Sequence, residues 1–299
     1  MSWISKRNIY FALFYFTLAV LTLELGIRYI VLGEPRIFNY SSTSGWVNSN
    51  YLNVTRNDSH GSWQVSTNEN GVRIAENQSL PNEYKFIILG DSFAFGEGVA
   101  IHKRFDYINA NLADNSLNLG VMGYSPLQSF LRLNELGISS EKTKILLLVY
   151  ENDLRDSVEY ATAYRYRPIL TVDGVEFPNT ILDKLHGFFR DKSYLYYAFY
   201  RYVLKPEVKV EKSIDLFDNL DYINRQVNGS LHVIFHGFEA NYTDTLMQSP
   251  FCSEVLCSNF LLSRHSDPGF YFENDIHWNA KGHERFSVFI DTILKNSNE

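Results

Sequence analysis

Ser92 is the residue whose surroundings most favour covalent chemistry. It follows the apolar run Phe86–Leu89, which is too short for a helix and is typical of a strand buried on both faces. Ligands of open α/β sheets bind at the carboxyl ends of the strands, where free backbone N–H groups of a following helix attract negative charge. The Gly90-Asp91-Ser92 sequence therefore predicts either a nucleophilic serine or a structural glycine-rich turn.

Asp275 and His277, far along the chain, could supply the groups that such a serine needs. A serine hydroxyl is a weak nucleophile by itself and requires a base, which a third group must orient. With one residue between them, the Asp275 carboxylate can accept a hydrogen bond from one ring nitrogen of His277. The other ring nitrogen is then left to face Ser92, as a catalytic triad requires.

A tetrahedral intermediate also needs hydrogen-bond donors for its oxyanion. Besides the Ser92 N–H, the candidates are the backbone N–H of Gly123 and the side chain of Asn152. Gly123 follows a predicted strand at 116–119, and Asn152 follows another at 144–149. Because the carboxyl ends of parallel strands meet at one edge of a sheet, we expect both residues to lie near Ser92.

Apolar runs alternate with amphipathic segments from residue 85 onward. Helices are predicted at 105–112, 128–136, 214–227 and 281–296, and strands at 86–89, 116–119, 144–149 and 231–235. Such alternation is typical of a parallel sheet with right-handed crossover connections. The sequence therefore predicts an α/β fold.

The N-terminal segment predicts a membrane anchor. Lys6 and Arg7 precede an uncharged apolar run at 9–23, and Glu24 and Arg28 follow at a spacing that lets them pair or reach the membrane interface. Because no small-residue cleavage site follows the run, an uncleaved signal-anchor fits better than a signal peptide. The positive charges place the N-terminus in the cytoplasm and the rest of the chain in the periplasm or outside the cell. A buried core helix is the alternative.

The chain is expected to divide into three parts. Residues 1–33 form the cytoplasmic stub and anchor, 34–84 a polar linker or edge segment with hairpins, and 85–299 the globular domain. An insertion at about 155–210 interrupts the α/β alternation and is rich in tyrosine and arginine. It could be a lid that stacks on sugar rings or closes over an acyl chain, an insertion with its own small core, or a segment on the membrane surface.

Composition narrows the classes of ligand. The net charge is −7 and lysine and arginine are not clustered, which argues against nucleic acid. Of the eight histidines, only His232 and His236 are four residues apart, and they fall in and directly after a predicted strand rather than in a helix, so neither a metal nor another cofactor is expected. Cys252 and Cys257 have no histidine cluster beside them, and a small disulfide loop is expected if the compartment is oxidising.

Four separate blocks of the sequence resemble those of the GDSL-type, or SGNH, hydrolase superfamily. The matching positions are Gly90, Asp91 and Ser92, then 118–123 with Gly123, then Asn152 and Asp153, and finally Asp275 and His277. The resemblance implies a flavodoxin-like three-layer α/β/α sandwich. It also implies that Ser92 is the nucleophile, that His277 and Asp275 complete the triad, and that Ser92, Gly123 and Asn152 form the oxyanion hole.

This chain departs from the family pattern at three positions. Phe93 stands where leucine is usual, Tyr150 where the third block has glycine, and Trp278 where proline often follows the histidine. The Gly-x-Ser-x-Gly motif of the α/β-hydrolases does not occur in the sequence.

The family includes esterases, lipases, thioesterases, carbohydrate deacetylases and O-acyltransferases. With an outward-facing domain and an anchor, the chain resembles bacterial enzymes that act on acetyl groups of envelope polysaccharides. The expected function is therefore that of a serine hydrolase cleaving acyl esters, with O-acetyl esters of a glycan as the expected substrate. An O-acyltransferase with the same triad and a non-catalytic glycan-binding or assembly protein are the alternatives, and the oligomeric state is left open.

Overall fold

The computed structural model describes residues 6–32, 36–76, 78, 83–162, 165–204, 208–227, 230–262 and 264–296. In this part of the chain the α-helices are α1 Lys6–Gly26, α2 Ser92–Phe95, α3 Phe105–Ile108, α4 Pro126–Glu135, α5 Asp153–Asp156, α6 Ile181–Lys192, α7 Tyr194–Phe199, α8 Leu216–Gln226, α9 Ala240–Met247, α10 Pro250–Glu254 and α11 Ala280–Asn296. The strands are β1 Phe38–Ser41, β2 Gly45–Asn48, β3 Asn53–Asp58, β4 Gly61–Ser66, β5 Phe86–Leu89, β6 Ser116–Asn118, β7 Lys144–Tyr150, β8 Glu159–Thr162, β9 Arg165–Tyr166, β10 Ile169–Thr171, β11 Gly174–Glu176, β12 Val208–Lys209, β13 Ser230–His236 and β14 Leu256–Phe260. Short π-helical turns follow α1 and α7, at Ile27–Leu32 and Tyr200–Leu204.

A five-stranded parallel sheet forms the centre of the molecule, in the order β14-β13-β7-β5-β6. Its inner strands are the continuous apolar runs of the sequence, because both of their faces are covered. The predicted α/β class with a parallel sheet is confirmed. The edge strand β14 was not predicted, since its side chains are only partly buried and include polar residues.

Alternate side chains of the central strands enter two separate apolar clusters. Along β7, Ile145, Leu147 and Val149 enter one cluster, and Leu146 and Leu148 enter the other, as the two-residue period of a strand requires. Helices α4 and α8 contribute to the first cluster, and α11 contributes to the second. The sheet is therefore covered by helices on both faces.

Helix α3 ends earlier than the predicted helix at 105–112. It stops at Ile108, because the side chain of Asn109 accepts hydrogen bonds from the N–H groups of Asn111 and Leu112, at 2.9 and 3.1 Å. Such bonds compete with the helical hydrogen bonds of the backbone. The remainder of the predicted helix is a turn.

The segment before the sheet forms two antiparallel hairpins, β1–β2 and β3–β4. Trp63 and Val65 of β4 are buried with Phe95, the last residue of α2. The buried guanidinium of Arg73 donates to carbonyl oxygens of Phe95, Gly96, Gln64 and Val99, at 2.6 to 2.9 Å. The hairpins are thereby attached to the loop that follows Ser92.

The insertion contains a three-stranded antiparallel sheet (β12-β8-β9), the hairpin β10–β11, and helices α6 and α7. Its side chains make their own contacts, including one of 3.0 Å between His186 Nδ1 and the Tyr196 hydroxyl. Helix α1 is apolar, lies exposed along its length and, by length and composition, is long enough to cross a membrane. Cys252 and Cys257 form a disulfide.

The end of α1 is joined to the start of α7 by a single carboxylate. Glu24 accepts hydrogen bonds from the Ser193 hydroxyl at 2.8 Å and from the N–H groups of Tyr194 and Leu195, at 2.5 and 2.9 Å. These N–H groups belong to the first turn of α7, where a helix has no internal acceptors for them. The apolar helix is therefore tied directly to the insertion.

Candidate active site

Ser92 lies at the carboxyl end of β5, as the first residue of α2. The Asp91 carboxylate caps this helix by accepting a hydrogen bond from the N–H of Phe93 at 2.9 Å. This is the usual role of an aspartate at a helix start, since it satisfies an N–H group that the helix leaves free. The cap helps to fix the backbone at the start of α2, where Ser92 stands.

The structure brings together Ser92, His277 and Asp275. The Ser92 Oγ lies 2.8 Å from His277 Nε2, and His277 Nδ1 lies 2.5 Å from Asp275 Oδ1. The same carboxylate oxygen accepts from the backbone N–H of His277 at 2.8 Å. With Nδ1–H donating to the carboxylate, Nε2 is free to accept the Ser92 proton.

A tight turn places Asp275 and His277 beside each other. Asp275 donates its N–H to the Phe272 carbonyl at 3.2 Å, and Phe272 donates its own N–H to the His277 carbonyl at 3.0 Å. Asn274 has a φ of +58°, a conformation that asparagine tolerates better than most residues. The separation of one residue therefore suffices for the carboxylate–imidazole contact.

The predicted oxyanion donors line the same cavity as Ser92, which has a volume of about 660 Å³. Gly123, with a φ of +75°, is at its surface. Gly120 is instead packed against α2, where a Cβ would lie 2.4 Å from the backbone nitrogen of Phe95. Of these two glycines, Gly123 is the one at the cavity surface.

Asn152 also lines the cavity, at the start of α5. Its Nδ2 donates to Asp156 Oδ2 at 3.2 Å, and its Oδ1 is buried with no hydrogen-bond partner among the described residues. The NH2 group of an asparagine side chain carries two hydrogens, so a second one remains to be donated. The contact with Asp156 therefore orients the amide and leaves it a further donor.

The charges around His277 favour its protonated form. Burial by itself would lower the pKa of His277, but the hydrogen bond to Asp275 and the nearby carboxylates of Glu97 and Asp275 raise it above its usual value. Conversely, the hydrogen bond with His277 holds the pKa of Asp275 below its usual range. Glu97 Oε2 lies only 3.4 Å from His277 Nε2. The imidazole is thus a stronger base than it would be in water.

The pKa of Asp91, next to Ser92, is raised, whereas that of Asp275 is lowered. Burial raises the pKa of Asp91 to about 7, although the hydrogen bond from Phe93 and the charge of His277 oppose this shift. Below that pH the carboxyl is mostly neutral. It then adds little negative charge next to Ser92, close to where the carbonyl oxygen of a bound ester would become an oxyanion.

His60 is a site residue that the sequence did not reveal. Its Nε2 lies 3.1 Å from Asp275 Oδ2, and its Nδ1 lies 3.0 Å from Asp58 Oδ1. Neither contact has hydrogen-bond geometry, although both ring nitrogens are buried. His60 is in the turn between β3 and β4, in a segment predicted as a linker or edge. The only sequence signal there is the Asp-x-His spacing of Asp58 and His60, which matches that of Asp275 and His277.

A metal ion could use part of this arrangement. His60, Asp275 and His277 each offer one ligand atom, and these atoms lie within 4.8 Å of one another. However, His277 directs its two nitrogens at Ser92 and at Asp275, so a metal bound through His277 would displace one of these contacts. The donor set fits the hydrogen-bonded arrangement better than a metal centre.

Part of the cavity wall comes from the insertion and from Arg36, just before β1, and the hairpins β1–β2 and β3–β4 contribute as well. It includes the aromatic and basic side chains of Arg36, Arg190, Tyr194, Tyr197, Arg201 and Tyr202. The Arg36 guanidinium lies 3.9 Å from the centre of the Tyr194 ring and donates to the carbonyls of Arg190 and Ser193. Tyrosines of the insertion therefore face the same space as Ser92.

All five residues predicted for the site, Ser92, Gly123, Asn152, Asp275 and His277, lie around this one cavity. Comparisons with protein-family models and with curated proteins find no match for the chain. The functional assignment therefore depends on the geometry of these residues.

Proposed function

We propose that this protein is a membrane-anchored serine hydrolase of the SGNH type that cleaves acyl esters. The observation that carries the proposal is the continuous series of contacts from Ser92 through His277 to Asp275, at 2.8 and 2.5 Å. Ser92 and His277 are 185 residues apart in sequence, so their contact is made by the fold rather than by local structure. Nucleophile, base and orienting carboxylate stand in the order that acyl transfer requires.

The reaction follows from these positions. His277 Nε2 takes the proton of Ser92 as Oγ bonds to the ester carbonyl carbon, and the carbonyl electron pair moves to the oxygen. The N–H groups of Ser92, Gly123 and Asn152 stabilise this oxyanion. The intermediate then expels the alcohol, which receives the proton from His277, and an acyl-enzyme remains. Water, giving a proton to His277, then bonds to the acyl carbonyl carbon. The bond from this carbon to Ser92 Oγ breaks, Oγ takes the proton back from His277, and the free acid leaves.

A flavodoxin-like three-layer sandwich is part of the proposal. Numbered along the chain, the strands of the central sheet stand in the order 5-4-3-1-2, which is the doubly wound 2-1-3-4-5 order read from the other edge. Two of the positions that depart from the family pattern also contact each other. The rings of Phe93 and Trp278 are 4.7 Å apart, so these departures concern packing beside the triad and not its reacting atoms.

The proposed substrate is an O-acetyl or other short acyl ester of an envelope glycan. Tyrosines 194, 197 and 202 in the cavity wall support it, since aromatic rings suit the apolar faces of sugars. The disulfide Cys252–Cys257 supports an oxidising compartment. Together with Lys6 and Arg7 at the start of α1, it favours a cytoplasmic N-terminus and a periplasmic or extracellular domain.

The test uses the full chain in detergent, with fluorophosphonate labelling and p-nitrophenyl acetate turnover. Ser92→Ala and His277→Ala should each abolish labelling and lower kcat on the order of 10⁴-fold. Ser139→Ala and His265→Ala, which alter the same residue types at exposed positions, serve as matched controls and should change neither.

Product analysis separates the alternatives. Release of free acid in the presence of a polyol supports hydrolysis, whereas an acylated polyol would assign the same triad to an O-acyltransferase. Folded wild-type protein that neither labels nor turns over any ester would contradict the catalytic proposal and favour a glycan-binding role.

A further inference from the structure

Helix α6 packs with its polar side toward the protein. Asp183, His186 and Arg190, which are spaced three or four residues apart, are buried, with exposed fractions of 9 % or less. Their partners include Thr180, whose hydroxyl donates to Asp183, and the Tyr196 hydroxyl beside His186. The polar face is therefore held between α7 of the insertion and strand β1.

The opposite face of α6 is apolar and exposed. Its large side chains are Ile181, Leu182, Leu185, Phe188 and Phe189, with exposed fractions of 77, 77, 49, 56 and 47 %. The exposed residues between and after them are Lys184 and Lys192. A row of large apolar side chains flanked by lysines is typical of a helix that lies in the interface of a membrane. In water, a contiguous apolar surface of this kind is unusual.

The residues after α6 continue the same character. Phe199 of α7 and Val203 and Leu204 of the turn after it are between 46 and 65 % exposed. Helix α6 contacts α7, and α7 contacts this turn. The apolar surface is therefore a property of the helical unit 181–204, and not of one helix alone.

This unit is attached to the end of the apolar helix α1. The Glu24 carboxylate binds the first turn of α7, and α7 starts two residues after α6 ends. A helix that crosses the membrane must leave it near this point, because Glu24 and Arg28 are the first charged residues after the apolar run. The exposed face is thus adjacent to the predicted exit from the bilayer.

We propose that the helical unit 181–204 lies on the lipid bilayer beside the exit of α1, with the apolar face of α6 in the interface. Lys184 and Lys192 contact lipid phosphates, and the bilayer covers the apolar side chains. Tyr194, Tyr197 and Tyr202, which belong to the same unit, line the cavity of Ser92. The cavity is consequently held at the membrane surface. This inference depends on α1 crossing the membrane and not on the hydrolase proposal.

The test is spin-label accessibility on the full chain in vesicles of phosphatidylcholine and phosphatidylglycerol. Because Cys252 and Cys257 are disulfide-bonded, single cysteines can be introduced and labelled under non-reducing conditions. Labels at Leu182→Cys, Leu185→Cys and Phe188→Cys report on the apolar face. Val288→Cys in α11, which replaces another apolar side chain that is 55 % exposed, is the matched control.

Bilayer contact makes the α6 labels collide severalfold more often with oxygen than with a water-soluble nickel complex, and the control shows the reverse. If the α6 labels collide with nickel as often as the control does, the proposal is overturned. Loss of collisions with both reagents, with dipolar broadening between labels, would show instead that a second copy covers the face. All the substituted positions are exposed, so three α6 labels give independent readings if one disturbs folding.

Discussion

Glu97 is expected to set the pH range in which His277 works as a base. Its carboxylate lies 3.4 Å from His277 Nε2 and contributes to raising the pKa of this imidazole. The base must be unprotonated to act, so kcat/KM rises with pH through that pKa. Glu97→Gln removes the charge and should move the rising limb of the profile to lower pH, by roughly one unit.

Glu141→Gln is the control for this change, since it removes the same charge at an exposed position. Its profile should coincide with that of the wild type in p-nitrophenyl acetate hydrolysis. A limb that stays in place in Glu97→Gln would show that another group governs the rise.

At the scale of single residues, two kinds of site residue could be predicted from the sequence. The first kind has its partner nearby in the sequence, and the second kind stands at the end of an apolar run. Asp275 and His277 are of the first kind, and Ser92 and Asn152 are of the second. His60 could not be found this way, because its contact with Asp275 depends on how the β3–β4 hairpin folds back onto the sheet. Glu97 stands five residues after Ser92, but its direction depends on the short helix between them.

Gly120 is expected to control the position of α2 and hence of Ser92. A Cβ at this position would lie 2.4 Å from the Phe95 backbone nitrogen and 2.8 Å from the Ala94 Cβ. Because backbone atoms cannot move aside cheaply, Gly120→Ala should lower the free energy of unfolding by roughly 1–3 kcal/mol. It should also reduce kcat/KM by displacing the nucleophile.

Gly269→Ala is the matched control, since a Cβ there would meet nothing within 4 Å. Thermal unfolding followed by circular dichroism, together with ester turnover, checks both variants. Equal stability and equal activity of Gly120→Ala and the wild type would contradict the close packing of the two segments.

Helices and strands were predictable where one physical requirement dominates. A strand covered on both faces must be apolar throughout, which is why β5, β7 and β13 were recognised. A helix pattern does not tell which of its faces packs on the protein, and in α6 it is the polar face. Segments that alternate short hairpins with helices, such as the insertion, lack a period long enough to identify them.

At the scale of the whole molecule, the disulfide is expected to contribute measurably to stability. Cys252 and Cys257 close a loop with a sequence separation of 5, and such a small loop corresponds to about 2 kcal/mol in the chain-entropy model. The double variant Cys252→Ser, Cys257→Ser should therefore unfold at lower urea concentration than the wild type.

Urea unfolding of the wild type and of the double variant in the presence of reductant provides the matching comparison. It should shift the unfolding midpoint of the wild type toward that of the double variant and leave the variant unchanged. A wild type that unfolds at the same urea concentration as the double variant, with and without reductant, would contradict the expected contribution of the bond to stability.

The contact between Glu24 and α7 attaches the part of the molecule that holds the Ser92 cavity directly to α1. A domain on a flexible linker samples a volume that grows with the length of the linker. Here, however, α1 and the start of α7 are joined directly by the Glu24 carboxylate. For a chain whose α1 spans the membrane, the encounter of the proposed enzyme with an ester is then a two-dimensional search, in which Ser92 travels with the anchor at a constant height. Esters presented within that thin layer are reached by lateral diffusion, and those farther from the membrane must approach it themselves.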